Sequence, residues 1–242
     1  GGLAVSLKDF WQSYPTALEI CNASENTADM RIWLWSPFSD AMDMRHYDTI
    51  PHGLAATYED VQKGLSTPYG IARTSELTLI ASNGVPSNTV LSDYAKISNQ
   101  NALLVSTPEY LHSVNIFGVW SLPDKSSPGK IWIENQLDKA LLLYQKEIDQ
   151  RNWYGFWDYG DVMHAYDPVR HTWSYDVGGY AWDNTELASD MWLWYSFLRT
   201  GRSDIFKMAE AMTRHTSEVD VYHFGELAGL GSRHNVRHWG CG

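Results

Sequence analysis

The sequence predicts a mainly α-helical chain, part of an α/α toroid, preceded by a β-rich segment. Three observations carry this. Between Ile131 and Arg151 the residues Ile133, Leu137, Ala140, Leu141, Tyr144 and Ile148 recur at i, i+3, i+4 and i+7 spacing, the period of one helix face. Two later helical runs are joined by Gly201-Arg202-Ser203, which makes them an αα-hairpin. The first fifty residues instead hold short strand candidates, of which the stretch 30–36 alternates with a period of two, as strands do.

In chain order, residues 1–50 form the β-rich segment. Leu3-Ala-Val-Ser-Leu7 and Ala17-Leu-Glu-Ile20 are short strand candidates. Met30-Arg-Ile-Trp-Leu-Trp-Ser36 sets Arg31, Trp33 and Trp35 on one face and Ile32 and Leu34 on the other, with a polar turn from Asn22 to Asp29 before it. Residues 51–88 read as connecting loops with short extended pieces, including the Pro68-Tyr69-Gly70 turn that leads to Arg73. Residues 89–242 read as the toroid portion. A helix from about Val90 offers Leu91, Tyr94, Ala95 and Ile97 as an apolar face, and Pro108 opens a second one. Pro123 to Gly129 reads as a linker loop. Asp183 or Asn184 is expected to cap a helix from Thr185 to Thr200 with Gly201 at its end, and Ser203 to cap Asp204–Thr216. Hairpins separated by long motif-rich loops are how a toroid lines a cleft at one end.

Composition narrows the function. The 242 residues carry a net charge of -11, which argues against nucleic acid as the main partner. A local Arg/His cluster can still oppose that sign and take an acidic ligand. Twelve Trp and fourteen Tyr are a heavy aromatic load, for which the choice lies between a sugar-binding cleft and a Trp-rich core. Apart from Cys21 there is only Cys241, so one disulfide is open to the chain. Asn22-Ala-Ser24 is a glycosylation sequon, and with the two cysteines it leads us to expect a secreted protein. No apolar run is long enough to span a membrane, and no membrane partner is expected. Neither end reads as a natural terminus, so the chain is expected to be an internal portion of a longer protein.

The densest chemistry lies in Asn152-Trp-Tyr-Gly-Phe-Trp-Asp-Tyr-Gly-Asp-Val-Met-His164. Gly155 and Gly160 argue against a helix, and the mixture of rings with carboxylates suits a loop over a cleft. We expect Trp153, Trp157 and Trp182 to stack on sugar, and Asp158 and Asp161 to bind substrate; as a pair the two carboxylates would also suit a glycoside hydrolase. The plainer alternative is an aromatic core loop. The last residues gather His215, His223, His234 and His238 beside Arg214, Arg233 and Arg237. His234 and His238 have a metal-ligand spacing, but no acid or cysteine completes a zinc set, and a polar cleft wall is the preferred reading. No cofactor is expected, with a divalent cation such as calcium left open. No nucleophile elbow, phosphate loop or dinucleotide fingerprint is present.

Seven long motifs then point to one family. They are Arg31-Ile-Trp-Leu-Trp-Ser-Pro37, Ala41-Met-Asp-Met-Arg-His-Tyr-Asp48, Thr67-Pro-Tyr-Gly-Ile-Ala-Arg-Thr-Ser-Glu-Leu77, Trp153-Tyr-Gly-Phe-Trp-Asp-Tyr-Gly-Asp161, Asp176-Val-Gly-Gly-Tyr-Ala-Trp-Asp-Asn-Thr-Glu186, Ala211-Met-Thr-Arg-His-Thr216 and Gly231-Ser-Arg-His-Asn-Val-Arg-His-Trp-Gly240. In these the chain resembles the rhamnogalacturonan exolyases of polysaccharide lyase family 26 and their bacterial relatives. The resemblance implies a larger parent with β-rich, sandwich-like domains before an (α/α)6 barrel. It implies exo-cleavage of a rhamnose–galacturonate backbone by β-elimination, with an acidic plant polysaccharide or oligosaccharide as partner.

β-Elimination needs a cation at the uronate carboxylate, a base for the C5 proton and an acid for the leaving O4. In galacturonate that proton and O4 lie on opposite ring faces, so base and acid should come from different walls. Arg45 and Arg73 are the candidates for the carboxylate, and Tyr159 and His164 for proton transfer. His46, Arg233 and His234 come next as substrate-binding groups, and Lys130 is a base only if buried. The rivals are a glycoside hydrolase acting through Asp158 or Asp161, and a non-catalytic glycan-binding fragment.

Overall fold

The computed structural model describes residues 1–25, 27–39, 69–100, 102–169, 171–173, 182–183 and 185–231. The expectations placed on Arg45, His46, Arg233, His234, His238 and Cys241 lie outside the described residues. The chain folds into two compact units.

The first unit takes residues 1–42, 74–103 and 154–156. Strand β1 (Gly2–Leu7) pairs antiparallel with β4 (Leu77–Ser82), with Gly2 opposite Ser82 and Leu7 opposite Leu77. Strands β2 (Ala17–Cys21) and β3 (Asp29–Trp33) form a hairpin across the polar turn that the sequence predicts. Glu19 stitches that hairpin by accepting from Trp33 Nε1 at 3.0 Å and Cys21 Sγ at 3.1 Å. Helix α1 (Asn88–Asn99) starts where the Ser87 side chain accepts from Val90 N. Its packing face is not the predicted one. Ile97 and Leu91 are exposed, whereas Ser98 is buried and Asn99 Oδ1 accepts from Asp9 N at 2.8 Å. The helix is anchored here by a polar group, because just past β1 it meets the Asp9 backbone donor. The backbone of the 154–156 segment donates to the Gln12 and Tyr14 carbonyls, both at 2.6 Å.

The second unit is helical. Helix α2 (Pro108–Ser113) is capped by Thr107. Helix α3 (Pro128–Arg151) begins with Ser127 as cap and Pro128 in its first turn, so the predicted linker ends earlier than expected. It ends at Asn152 in the left-handed region, φ 54°. Only the C-terminal half of its predicted apolar face is used: Leu141 is buried and Tyr144 and Ile148 pack on the core, while Ile133 is exposed. A short hairpin joins β5 (Tyr166–Asp167) to β6 (Thr172–Trp173). Helix α4 (Ser189–Thr200) starts four residues later than predicted, because Thr185 and Ala188 both adopt positive φ and break the first turn. Asp183 does not cap it through the backbone; it accepts instead from Ser189 Oγ at 2.5 Å. Gly201 closes α4 at φ 66°, as predicted. Helix α5 (Ser203–Arg214) follows at once, so Ser203 is its first residue rather than its cap.

Leu141, Trp153, Val162, Met163, Trp182, Leu193, Phe197, Ile205, Ala209 and Met212 form the core of this unit. Aromatic edges lock it: Trp153 meets Trp182 and Trp173, and Phe206 meets Phe197 and Trp194. Arg199 ties the 121–127 loop to α3 by donating to Ser121 O and pairing with Glu134.

Candidate active site

Five residues after α5 decide where the chemistry of the second unit collects. His215–Val219 is a π-helical turn, and Asp220 N donates to His215 O at 3.2 Å, an i+5 bond. An α-helix would rotate residues 215 and 220 apart. The wider turn returns Asp220 to the His215 ring, with Nδ1 3.2 Å from Asp220 Oδ2. The other ring nitrogen, Nε2, donates to the Trp157 carbonyl at 2.7 Å. A carbonyl only accepts, so Nε2 carries a proton.

Trp157 opens a tight turn. Asp161 N donates to Asp158 O at 2.9 Å, and Asp161 Oδ1 accepts from Val162 N at 2.8 Å. Gly160 sits at φ +107° with its Cα against the Ala211 carbonyl, so a side chain there would strike α5. Beyond it, Met163 bridges to Trp182 and Asp183 N donates to Val162 O. A third strip, residues 69–73, docks on the π turn and the chain just after it: Ala72 N donates to Glu218 O and His223 N to Gly70 O. This brings Arg73 to the turn, where Nη2 donates to Tyr159 O at 2.7 Å and Cζ lies 5.9 Å from the Tyr159 ring centre.

The result is a buried charged cluster. Asp158, Asp161, His215 and Asp220 are all at most 6% exposed. Burial pushes the Asp158 carboxyl up to about 7, against the pull of His215 and Arg73. Burial likewise raises Asp161 to about 7; His215 opposes this and Asp220 adds to it. Burial works to lower His215, but Asp220 and Asp161 outweigh it and hold the ring up at about 9. Burial also draws the Arg73 guanidinium below its ordinary value, opposed by Glu218, Tyr159, Asp158 and Asp220. Arg73 remains a cation at every working pH.

Placed against the expectations, the structure brings together Arg73, Tyr159, Asp158 and Asp161. His164 lies partly exposed a few residues further on. Trp153, Trp157 and Trp182 are 3%, 4% and 6% exposed, so their faces are taken by core neighbours and are not offered to a sugar in this chain. Asp158 and Asp161 are also covered, so they act on the turn and its cations rather than reaching outward. Lys130 pairs with Asp124 on the surface and is not a buried base. His215 and Asp220 carry more of the site than their sequence neighbourhood implies. His215 stands out in the sequence as a member of the His/Arg cluster, but nothing there pairs it with Asp220, since neither regular period brings residues five apart together. Among the described residues no group of three or more His, Cys, Asp or Glu could hold a metal ion, and no helix is long and apolar enough to cross a membrane.

Comparison with known proteins gives the wider frame. Residues 1–96 match the model of a PcRGLX-like protein central beta sandwich domain, and residues 101–242 that of a PcRGLX-like protein C-terminal alpha/alpha toroid domain. A β sandwich followed by an α/α toroid is thus the fold, in the order that the sequence predicts. The chain is 53% identical over all 242 residues to a Bacillus subtilis (strain 168) protein described as uncharacterized protein YetA, and it spans 28% of that protein's length.

Proposed function

Because the chain belongs to the PcRGLX-like proteins, a rhamnogalacturonan exolyase-like family, we propose that it supplies part of the active site of a polysaccharide lyase. The reaction is β-elimination at galacturonate in the rhamnogalacturonan I backbone, from one chain end. It belongs to the whole protein, of which this chain corresponds to 28% in the curated relative. Secretion fits a protein that meets an acidic plant polysaccharide.

The observation that carries this reading is Arg73. Its guanidinium is fixed by the Tyr159 carbonyl and ring, so it is aimed before any ligand arrives. A planar, permanently charged fork suits a uronate carboxylate and the charge that builds on it as C5 loses its proton. Arg45 joins it in this role. Tyr159 and His164 serve proton transfer. One side chain takes the C5 proton, the electron pair becomes the C4–C5 double bond, the C4–O4 bond breaks, and an acid on the other ring face protonates O4. His46, Arg233 and His234 bind the flanking sugar. The buried Asp158 and Asp161 hold the turn that carries Tyr159.

The test is near-ultraviolet absorbance with time on rhamnogalacturonan I oligosaccharides, using the full-length protein and this chain side by side. A rise marks the 4,5-unsaturated uronate that only elimination makes. New reducing ends without that rise would replace the lyase with a hydrolase. Sugar affinity with neither signal would leave a binding protein.

A further inference from the structure

We infer that His215 is a positioning residue for this site: by holding the Trp157 carbonyl while Asp220 faces its other nitrogen, it fixes the turn whose Tyr159 carbonyl aims Arg73. This rests on the role of Arg73 given above, and adds the device that sets its direction.

The turn hangs from two cations. His215 Nε2 holds the carbonyl of residue 157 at 2.7 Å and Arg73 Nη2 holds that of residue 159 at 2.7 Å. Gly160, wedged on the Ala211 carbonyl, leaves the turn little room to shift. Three elements face the imidazole: Asp220 from beyond the π turn, Asp158 and Asp161 from the turn itself, and Arg73 from the 69–73 strip. A buried ring among carboxylates is a poor way to gain stability, since apolar residues of the same volume do as well or better. What this arrangement gives is a fixed geometry. Without the Nε2 donor the Trp157 carbonyl loses the 2.7 Å bond that ties it to the π turn. The turn then relaxes, Tyr159 O moves, and Arg73 loses its aim. A displacement of about 1 Å at a remote support costs roughly a hundredfold in favourable cases.

The experiment uses the full-length protein with His215→Asn, His215→Gln, Arg73→Ala and the His215→Asn/Arg73→Ala pair. Two readouts are taken. One is the rate at which phenylglyoxal modifies Arg73, mapped by peptide mass. The other is kcat and KM on rhamnogalacturonan I oligosaccharides. His215→Asn should speed Arg73 modification about tenfold and lower kcat by a similar factor, the equivalent of one lost hydrogen bond to a charged group. His215→Gln places an amide N–H near the Nε2 position and should recover most of both. The double variant should be no slower than Arg73→Ala alone, because both changes remove one function. A merely structural histidine would instead give losses that add. An unchanged modification rate in folded His215→Asn overturns the inference, as do additive losses. If His215→Asn does not fold, Asp220→Asn carries the test: faster Arg73 modification supports the inference and an unchanged rate overturns it. If the wild type makes no unsaturated product, the lyase reading fails, and the modification rate still decides the positioning claim.

Discussion

Raising the pH from 6.5 to 9.5 should destabilise the helical unit, and the cause is His215. Its folded value is about 9 against an ordinary 6.5. A group whose folded value is raised gives its full stabilisation below the unfolded value and loses it as pH climbs through the folded one. At 1.36 kcal/mol per pH unit, the window from 6.5 to about 9 holds about 3 kcal/mol. Asp158 and Asp161 act with the same sign at lower pH. Each has a folded value near 7 against 3.8, so the folded state keeps its protons longer and stability falls as pH rises from about 4 to 7. Asp204, drawn down to about 2 mainly by Arg202, has the opposite sign, but its effect is complete by about pH 4. The measurement is thermal unfolding by far-ultraviolet circular dichroism at several pH values. A loss of about 3 kcal/mol lowers the melting temperature by roughly 6–12 °C in a domain of this size. In Asp220→Asn the slope between 6.5 and 9 should flatten, because the strongest of the charges that hold the ring protonated is gone. A wild-type curve that is flat or rises over that window would refute the reasoning. So would an Asp220→Asn curve with an undiminished slope.

Three further outcomes follow from other contacts. Gly160→Ala combines a left-handed φ of +107° with a collision on the Ala211 carbonyl, and should cost about 3 kcal/mol or more in denaturant unfolding. Arg199→Ala leaves Glu134 and Ser121 O without their shared partner in a largely covered pair, and should cost about 2–4 kcal/mol, whereas Lys96→Ala breaks an exposed pair and should stay within about 0.5 kcal/mol. Arg73→Lys keeps the charge and loses the fork, so kcat/KM on the oligosaccharide should fall by roughly 10- to 100-fold in the absorbance assay. Wild-type turnover in Arg73→Lys would remove Arg73 from the carboxylate site.

What the sequence made legible, and what it did not, divides along a physical line. Helices α3, α4 and α5 were readable because an apolar period and a glycine stop are local signals, as were the alternating strands β1 to β3. The covered side of α1 was not, because it is set by what the helix meets: Ser98 is buried, and the partly covered Asn99 accepts from Asp9, 90 residues away. The start of α4 escaped for another reason: positive φ at Thr185 and Ala188 has no glycine to announce it. At the site, residue types were informative and surroundings were not. The aromatic turn holds the buried carboxylates Asp158 and Asp161, yet its tryptophans read as sugar platforms are core, since a list of rings does not say which faces are covered. Arg73 and Tyr159 are 86 residues apart, and their meeting depends on Ala72 bonding to the π turn at Glu218 and Gly70 to His223 just after it. That turn is the deciding element. It converts a five-residue spacing with no regular period into an imidazole–carboxylate pair, and its Glu218 carbonyl is where the strip that carries Arg73 docks through Ala72 N. A local departure from α geometry thus sets both supports of the site at once, which is why a change at residue 215 or 220 should be felt at Arg73.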